Sequence, residues 1–150
     1  MKQAKIPPER WKWFRNAGHF ICSRDCQFHL CTLVGKYLVS TVGQMRLDRV
    51  AREIHAEVHD PRWLAKFGHL KGDEFDAAYT RKFGFETVGY DWTYETMVFK
   101  AGKPCSDKEC NYGLPNIEGS ELDFSPYNDA GAAIRGHLAM CRKWAKAVRP

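Results

Sequence analysis

Phe28-His29-Leu30-Cys31-Thr32-Leu33-Val34, then Gly35-Lys36, then Tyr37-Leu38-Val39-Ser40-Thr41-Val42 is the stretch that decides the fold class. Both flanks are rich in β-branched and aromatic residues, the composition of strands. The two residues between them suit a type II′ turn, with glycine first where φ must be positive. That turn predicts a hairpin pairing Val34 with Tyr37, Cys31 with Ser40 and His29 with Val42. One face then carries His29, Cys31, Leu33, Leu38, Ser40 and Val42. The other carries Leu30, Thr32, Val34, Tyr37, Val39 and Thr41. Both faces are fairly apolar, so the hairpin is expected to be covered on both sides or central in a sheet.

Downstream, residues 46–59 read two ways. Leu47, Val50, Ile54 and Val58 fit a helical stripe. Ile54, Ala56 and Val58 equally fit an alternating strand, with Glu53, His55, Glu57 and His59 on its other side. Asp60-Pro61 ends the element in either case. A short helix is expected around Trp63 to Phe67, and another from an Asp73 cap to Phe83, with Gly84 closing it. Phe85 to Val88 and Thr93 to Lys100 read as strands joined through Gly89-Tyr90-Asp91. Residues 101–128 are rich in Gly, Pro, Asn, Ser and Asp and read as a long irregular loop. From Asn128 or Asp129 a last helix presents Ala130, Ala133, Ile134, His137, Leu138, Cys141, Trp144, Ala145 and Val148 along one side. The expected fold is therefore α+β. It is a small single domain with a hairpin-based antiparallel sheet, packed helices and a C-terminal amphipathic helix.

The 150 residues fit one domain, and 44% hydrophobic with 27% charged is an ordinary globular composition that argues against disorder. Residues 1–10 read as a flexible basic arm, because Pro7-Pro8 blocks a helix, and 11–150 as the domain. No apolar run approaches the ~18 residues that span a bilayer, and the basic N-terminus lacks a signal-peptide core. These features point to the cytoplasm, where six cysteines are expected reduced or metal-bound. The formal net charge is +5. It is concentrated in Lys2, Lys5, Arg10, Lys12 and Arg15 and again in Arg135, Arg142, Lys143, Lys146 and Arg149. This permits nucleic-acid binding without requiring it.

Three constellations could carry chemistry. Cys105-x4-Cys110 with His137-x3-Cys141 offers a Cys3His set of the kind zinc binds tetrahedrally, since residues four apart share a helix face. Such a clip would hold the long loop on the last helix. The competing readings are a buried histidine and a small apolar cysteine in the core, and a disulfide. Cys22-x3-Cys26-x2-His29-x-Cys31 is a second possible metal set. Glu53 to Asp60 places carboxylates and imidazoles close together, with His55, Glu57 and His59 as alternative catalytic residues for metal-assisted hydrolysis or group transfer. Its competing reading is a solvated polar face. There is no phosphate-binding glycine loop, no Gly-x-Ser-x-Gly elbow and no dinucleotide fingerprint. Trp11, Trp13 and Arg15, with Arg142, Lys143 and Lys146, are candidate binding residues, although an aromatic cluster such as Trp11-Trp13-Phe14 also docks arms onto cores.

Three blocks carry a resemblance: Cys26-Gln27-Phe28-His29 running on to Val34-Gly35-Lys36-Tyr37-Leu38-Val39-Ser40-Thr41-Val42-Gly43; Tyr94-Glu95-Thr96-Met97-Val98-Phe99; and Tyr127-Asn128-Asp129-Ala130 leading to Gly136-His137. Together they resemble short uncharacterised proteins encoded by bacteriophages and prophages. The resemblance implies an accessory viral protein of the host cytoplasm. Such proteins often inhibit bacterial defence, CRISPR complexes included, by binding protein or nucleic acid. The expectation is a non-enzymatic binding protein with a structural zinc clip and a host protein or ribonucleoprotein as partner. The alternatives are a metal-dependent hydrolase or transferase and a direct nucleic-acid-binding zinc protein.

Overall fold

The computed structural model describes residues 4–15, 25–107 and 113–146. In chain order its elements are β1 (Lys12–Phe14), β2 (Cys26–Val34), β3 (Tyr37–Met45), α1 (Arg49–His59), α2 (Pro61–Phe67), α3 (Gly72–Phe83), β4 (Tyr94–Pro104), β5 (Pro115–Tyr127) and α4 (Ala130–Trp144). They separate into two compact units, one of Met1–Met45 with Thr87–Pro150 and one of Arg46–Glu86. The fold is α+β, as the hairpin and the terminal helix predict.

The first unit is a five-stranded antiparallel sheet in the order β1-β2-β3-β4-β5. The hairpin forms in the expected register, with Val34 opposite Tyr37, Cys31 opposite Ser40 and His29 opposite Val42. Gly35 has φ +62°, and among the described residues the only non-glycine at positive φ is Gln44. Lys36 therefore stays out of the left-handed region, which excludes a type I′ turn and suits II′. A Cβ on Gly35 would also meet Ile6 Cδ1 at 2.5 Å.

Both sheet faces are covered. On one, Val34, Val39 and Val98 pack with Met140 and Cys141 of α4, with Trp11 and with Ala145. Each buried valine contributes ~1.5–3 kcal/mol relative to exposure. On the other, Cys31 and Leu38 pack with Leu114. Asp129 starts α4 by accepting the Ala132 N–H at 2.8 Å. The expected flexible arm is tethered over its described part. Lys5 bridges to Lys146, the Ile6 N–H donates to the Ala145 carbonyl at 3.1 Å, and Trp11 Nε1 donates to the Ile6 carbonyl at 3.1 Å.

The second unit settles the ambiguity at 46–59 as a helix. Asp48 caps α1 by accepting the Ala51 N–H, and Asp60 caps α2 by accepting the Trp63 N–H. The apolar stripe is not its core side, however. Val50, Ile54 and Val58 are 64, 61 and 72% exposed, while Arg52 and Ala56 are buried. The core is Ala56, Trp63, Phe75 and Tyr79. The Arg52 guanidinium lies over the Phe75 and Tyr79 rings and pairs with Asp76 Oδ1 at 2.7 Å. Lys71, not Asp73, occupies the α3 N-cap position, and Asp73 sits in the first turn, where the helix dipole favours it. Gly84 follows α3 with φ +76°, as expected.

Two expectations fail. Phe85 to Val88 forms no named strand; the Val88 N–H instead donates to the Trp92 carbonyl at 3.1 Å and closes a turn. Residues 101–128 are not one irregular loop, because β4 runs to Pro104 and β5 spans 13 residues. Most β5 side chains are exposed, so the strand lacks the apolar alternation that would have marked it. No helix among the described residues is long and apolar enough to cross a membrane.

Candidate binding groove

In the first unit, the turn before β4 and the β4–β5 pair enclose an open groove of about 670 Å³, within the range of ligand-binding clefts. Its aromatic walls are Tyr90, Trp92 and Phe124, with Met97 and the two carboxylates Glu95 and Glu121 completing the lining beside Gly89.

The sequence builds this groove in steps. Glu95 and Met97 alternate onto the same face of β4, and Phe124 stands opposite Met97 on β5. The β4–β5 register then slips between Val98 and Lys100, and Gly119 has φ +75°. Bulges of this kind re-aim side chains, and Glu121 lies in the bulged segment. The Trp92 ring is held from two sides. Its Nε1 donates to Glu95 Oε2 at 3.2 Å, and its indole lies so close to Gly89 that a Cβ there would meet Cε2 at 2.1 Å. Burial pushes the Glu95 carboxyl above its ordinary range, and the indole hydrogen bond opposes that shift. Tyr90 is 92% exposed.

None of these groove residues was singled out in the sequence as a functional candidate. A signal was present: two large aromatics, Tyr90 and Trp92, inside one short connection between glycine and a strand. Trp92 has a local role in the turn, through Glu95 and Gly89, whereas Tyr90 stands almost wholly in water.

The first proposed metal set is placed as follows. His137 is fully buried. Its Nε2 is hydrogen-bonded to Thr32 Oγ1 at 2.8 Å and its Nδ1 to Thr41 Oγ1 at 2.7 Å. As placed, both ring nitrogens are taken by hydroxyls, so the residue does not fit a zinc ligand. Burial lowers its pKa to about 4. Cys141 is also fully buried, with its thiol pushed up to about 12 by desolvation, which keeps it a thiol. Cys105 is half-buried and its Sγ accepts the Asp107 N–H at 3.4 Å. Cys110 lies outside the described residues.

In the second set, Cys22 lies outside the described residues. Cys26 is disulfide-bonded, against the expectation of reduced or metal-bound cysteines, whereas Cys31 is a free thiol. His29 Nε2 donates to the Arg15 carbonyl at 2.9 Å. Desolvation, then the nearby Cys141, pushes the buried Cys31 thiol up to about 12. Cys31 and Cys141 lie on opposite sheet faces.

In the Glu53–Asp60 segment the helix separates the groups, since residues two apart point to opposite sides. The His55 and His59 rings lie 4.3 Å apart and tilted by 38°, and His55 Nδ1 is bonded to the Tyr79 hydroxyl at 3.0 Å. Glu53 pairs with Arg49 at 2.6 Å, Glu57 is exposed and Asp60 caps α2. Among the described residues no three His, Cys, Asp or Glu side chains converge as a metal cluster.

The candidate binding residues are partly engaged within the fold. Trp11 is buried. Trp13 is half-exposed and leans on His137, ring centroids 5.4 Å apart. Arg15 and Arg142 are exposed. Lys143 pairs with Asp123 at 2.6 Å, and Lys146 lies 4.6 Å over the Trp144 ring.

No family model matches the chain, and neither a curated protein nor a solved structure was found to match it.

Proposed function

We propose that the protein acts by binding and that the groove beside Trp92 is where it grips its partner. The observation that carries this is Tyr90, a large aromatic left almost wholly in water at the lip of a groove whose inner aromatic is held on two sides. Aromatic anchors in well-packed pockets supply most of the energy of many protein interfaces, and a ring fixed in advance loses little entropy on binding. The resemblance to short phage proteins directs the search for the partner to host defence complexes, CRISPR complexes included.

Site-specific photo-crosslinking tests the reading. A benzoylphenylalanine in place of Tyr90 is expected to give a discrete adduct in bacterial cells, identified by mass spectrometry and lost on Trp92→Ala. The same probe in place of Lys36, at the hairpin turn, serves as control. Adducts equal at the two positions, or absent from position 90, would refute the assignment.

A further inference from the structure

The groove has a distinct chemistry. Its lining holds two carboxylates and no lysine or arginine, on a chain of formal net charge +5. Its rings are set at steep angles. Trp92 and Phe124 lie 5.5 Å apart at 56°, and Tyr90 and Trp92 lie 6.3 Å apart at 74°. In an edge contact such as that of Tyr90 with Trp92 the ring that gives its edge keeps both faces uncovered by its partner, and the face of an aromatic ring is its negative pole. A cation held there gains from the ring quadrupoles and from carboxylates in a partly desolvated setting, where Coulomb attraction exceeds its value in water.

Resting on the binding reading above, we infer that the groove recognises the cationic head of a basic side chain, the guanidinium of arginine or the ammonium of lysine, on a segment of a protein partner. Glu95 is the central counter-charge. Burial raises its pKa, as expected of a carboxylate short of positive partners, and an incoming cation would reverse that shift. Trp92 is the fixed wall, Phe124 and Tyr90 are the other two, and Glu121 supplies a second negative charge from the bulge.

The test uses the full chain, isotope-labelled, and follows the Trp92 indole N–H by NMR, identified as the signal missing from Trp92→Phe. The probes are three blocked tripeptides, glycine-X-glycine, in which X is arginine, lysine or the neutral isostere citrulline. Arginine and lysine peptides are expected to move the signal saturably, more weakly as salt rises, while citrulline leaves it in place. Glu95→Gln keeps the shape of the side chain and should weaken binding by about tenfold or more. Tyr90→Ala should weaken it roughly threefold. A citrulline response equal to that of arginine, no response to either cation at millimolar concentration, or unchanged affinity in a folded Glu95→Gln protein would each overturn the inference. A partner crosslinked at position 90 with both cations silent leaves the binding reading standing and removes only the cation.

Discussion

His137 joins three strands at one point. Thr32 and Thr41 occupy its two nitrogens, and Thr41 passes the network on to Thr96 at 2.6 Å. The cluster is polar, buried and internally bonded, the condition under which buried polar groups are tolerated. It has a pH signature. The unfolded chain binds a proton at this imidazole below about 6.5, and the folded chain only below about 4. Between those values the unfolded state holds the extra proton. Stability contributed here is therefore present in full above pH 6.5 and is lost as pH falls toward 4, by about 3 kcal/mol in total. Urea midpoints measured across that window should show the loss, and His137→Gln should remove the histidine's share of the slope. An identical slope in the variant would show that other groups cause it. From the sequence, His137 stood equally for a metal ligand and for a core residue. Only the threonines brought to it by β2 and β3, 105 and 96 positions away in the chain, separate the two.

Among the elements, the hairpin and α4 were legible because each carries its own signal: a turn glycine between β-branched runs, and an aspartate cap ahead of a long amphipathic stripe. β5 was not legible, since an edge strand with most side chains in water needs little hydrophobic patterning and tolerates glycine, serine and proline. Two of the groove's residues, Glu121 and Phe124, went unseen for the same reason, as they come from β5. In α1 the helix was an open alternative but its inward face was misjudged, because an arginine replaces the expected aliphatic residue. Arg52 fills that position by stacking on Phe75 and Tyr79 while Asp76 neutralises it. Removing the α3 carboxylate should leave a buried cation uncompensated. Asp76→Ala is expected to cost about 3 kcal/mol, at the low end for a broken buried pair because Asp76 is itself partly exposed. Thermal unfolding checks this, and a melting temperature within 1 degree or so of the parent would contradict the role of the pair.

Across the sheet, β3 is paired on both sides along most of its length, with β2 and with β4, and β4 is likewise paired with β3 and β5. β1 contributes three residues and β5 sits at the opposite edge. Native-state hydrogen exchange should therefore find the slowest sheet amides in β3 and in the β2 and β4 positions facing it, with β1 and the bulged part of β5 exchanging early. Slow exchange centred on β5 would contradict the strand order. The bridge between Lys5 and Lys146, with Ile6 bonded to Ala145, bears on how the chain is made. A ribosome delivers Ile6 long before Ala145, at ~5–20 residues per second. The segment before β1 must therefore wait roughly 7–28 seconds for this pairing, until the residue that follows α4 has been made. The Gly35 turn is made early in that interval, but until its end the aliphatic Ile6 side chain lacks the Ala145–Lys146 backbone that completes its setting.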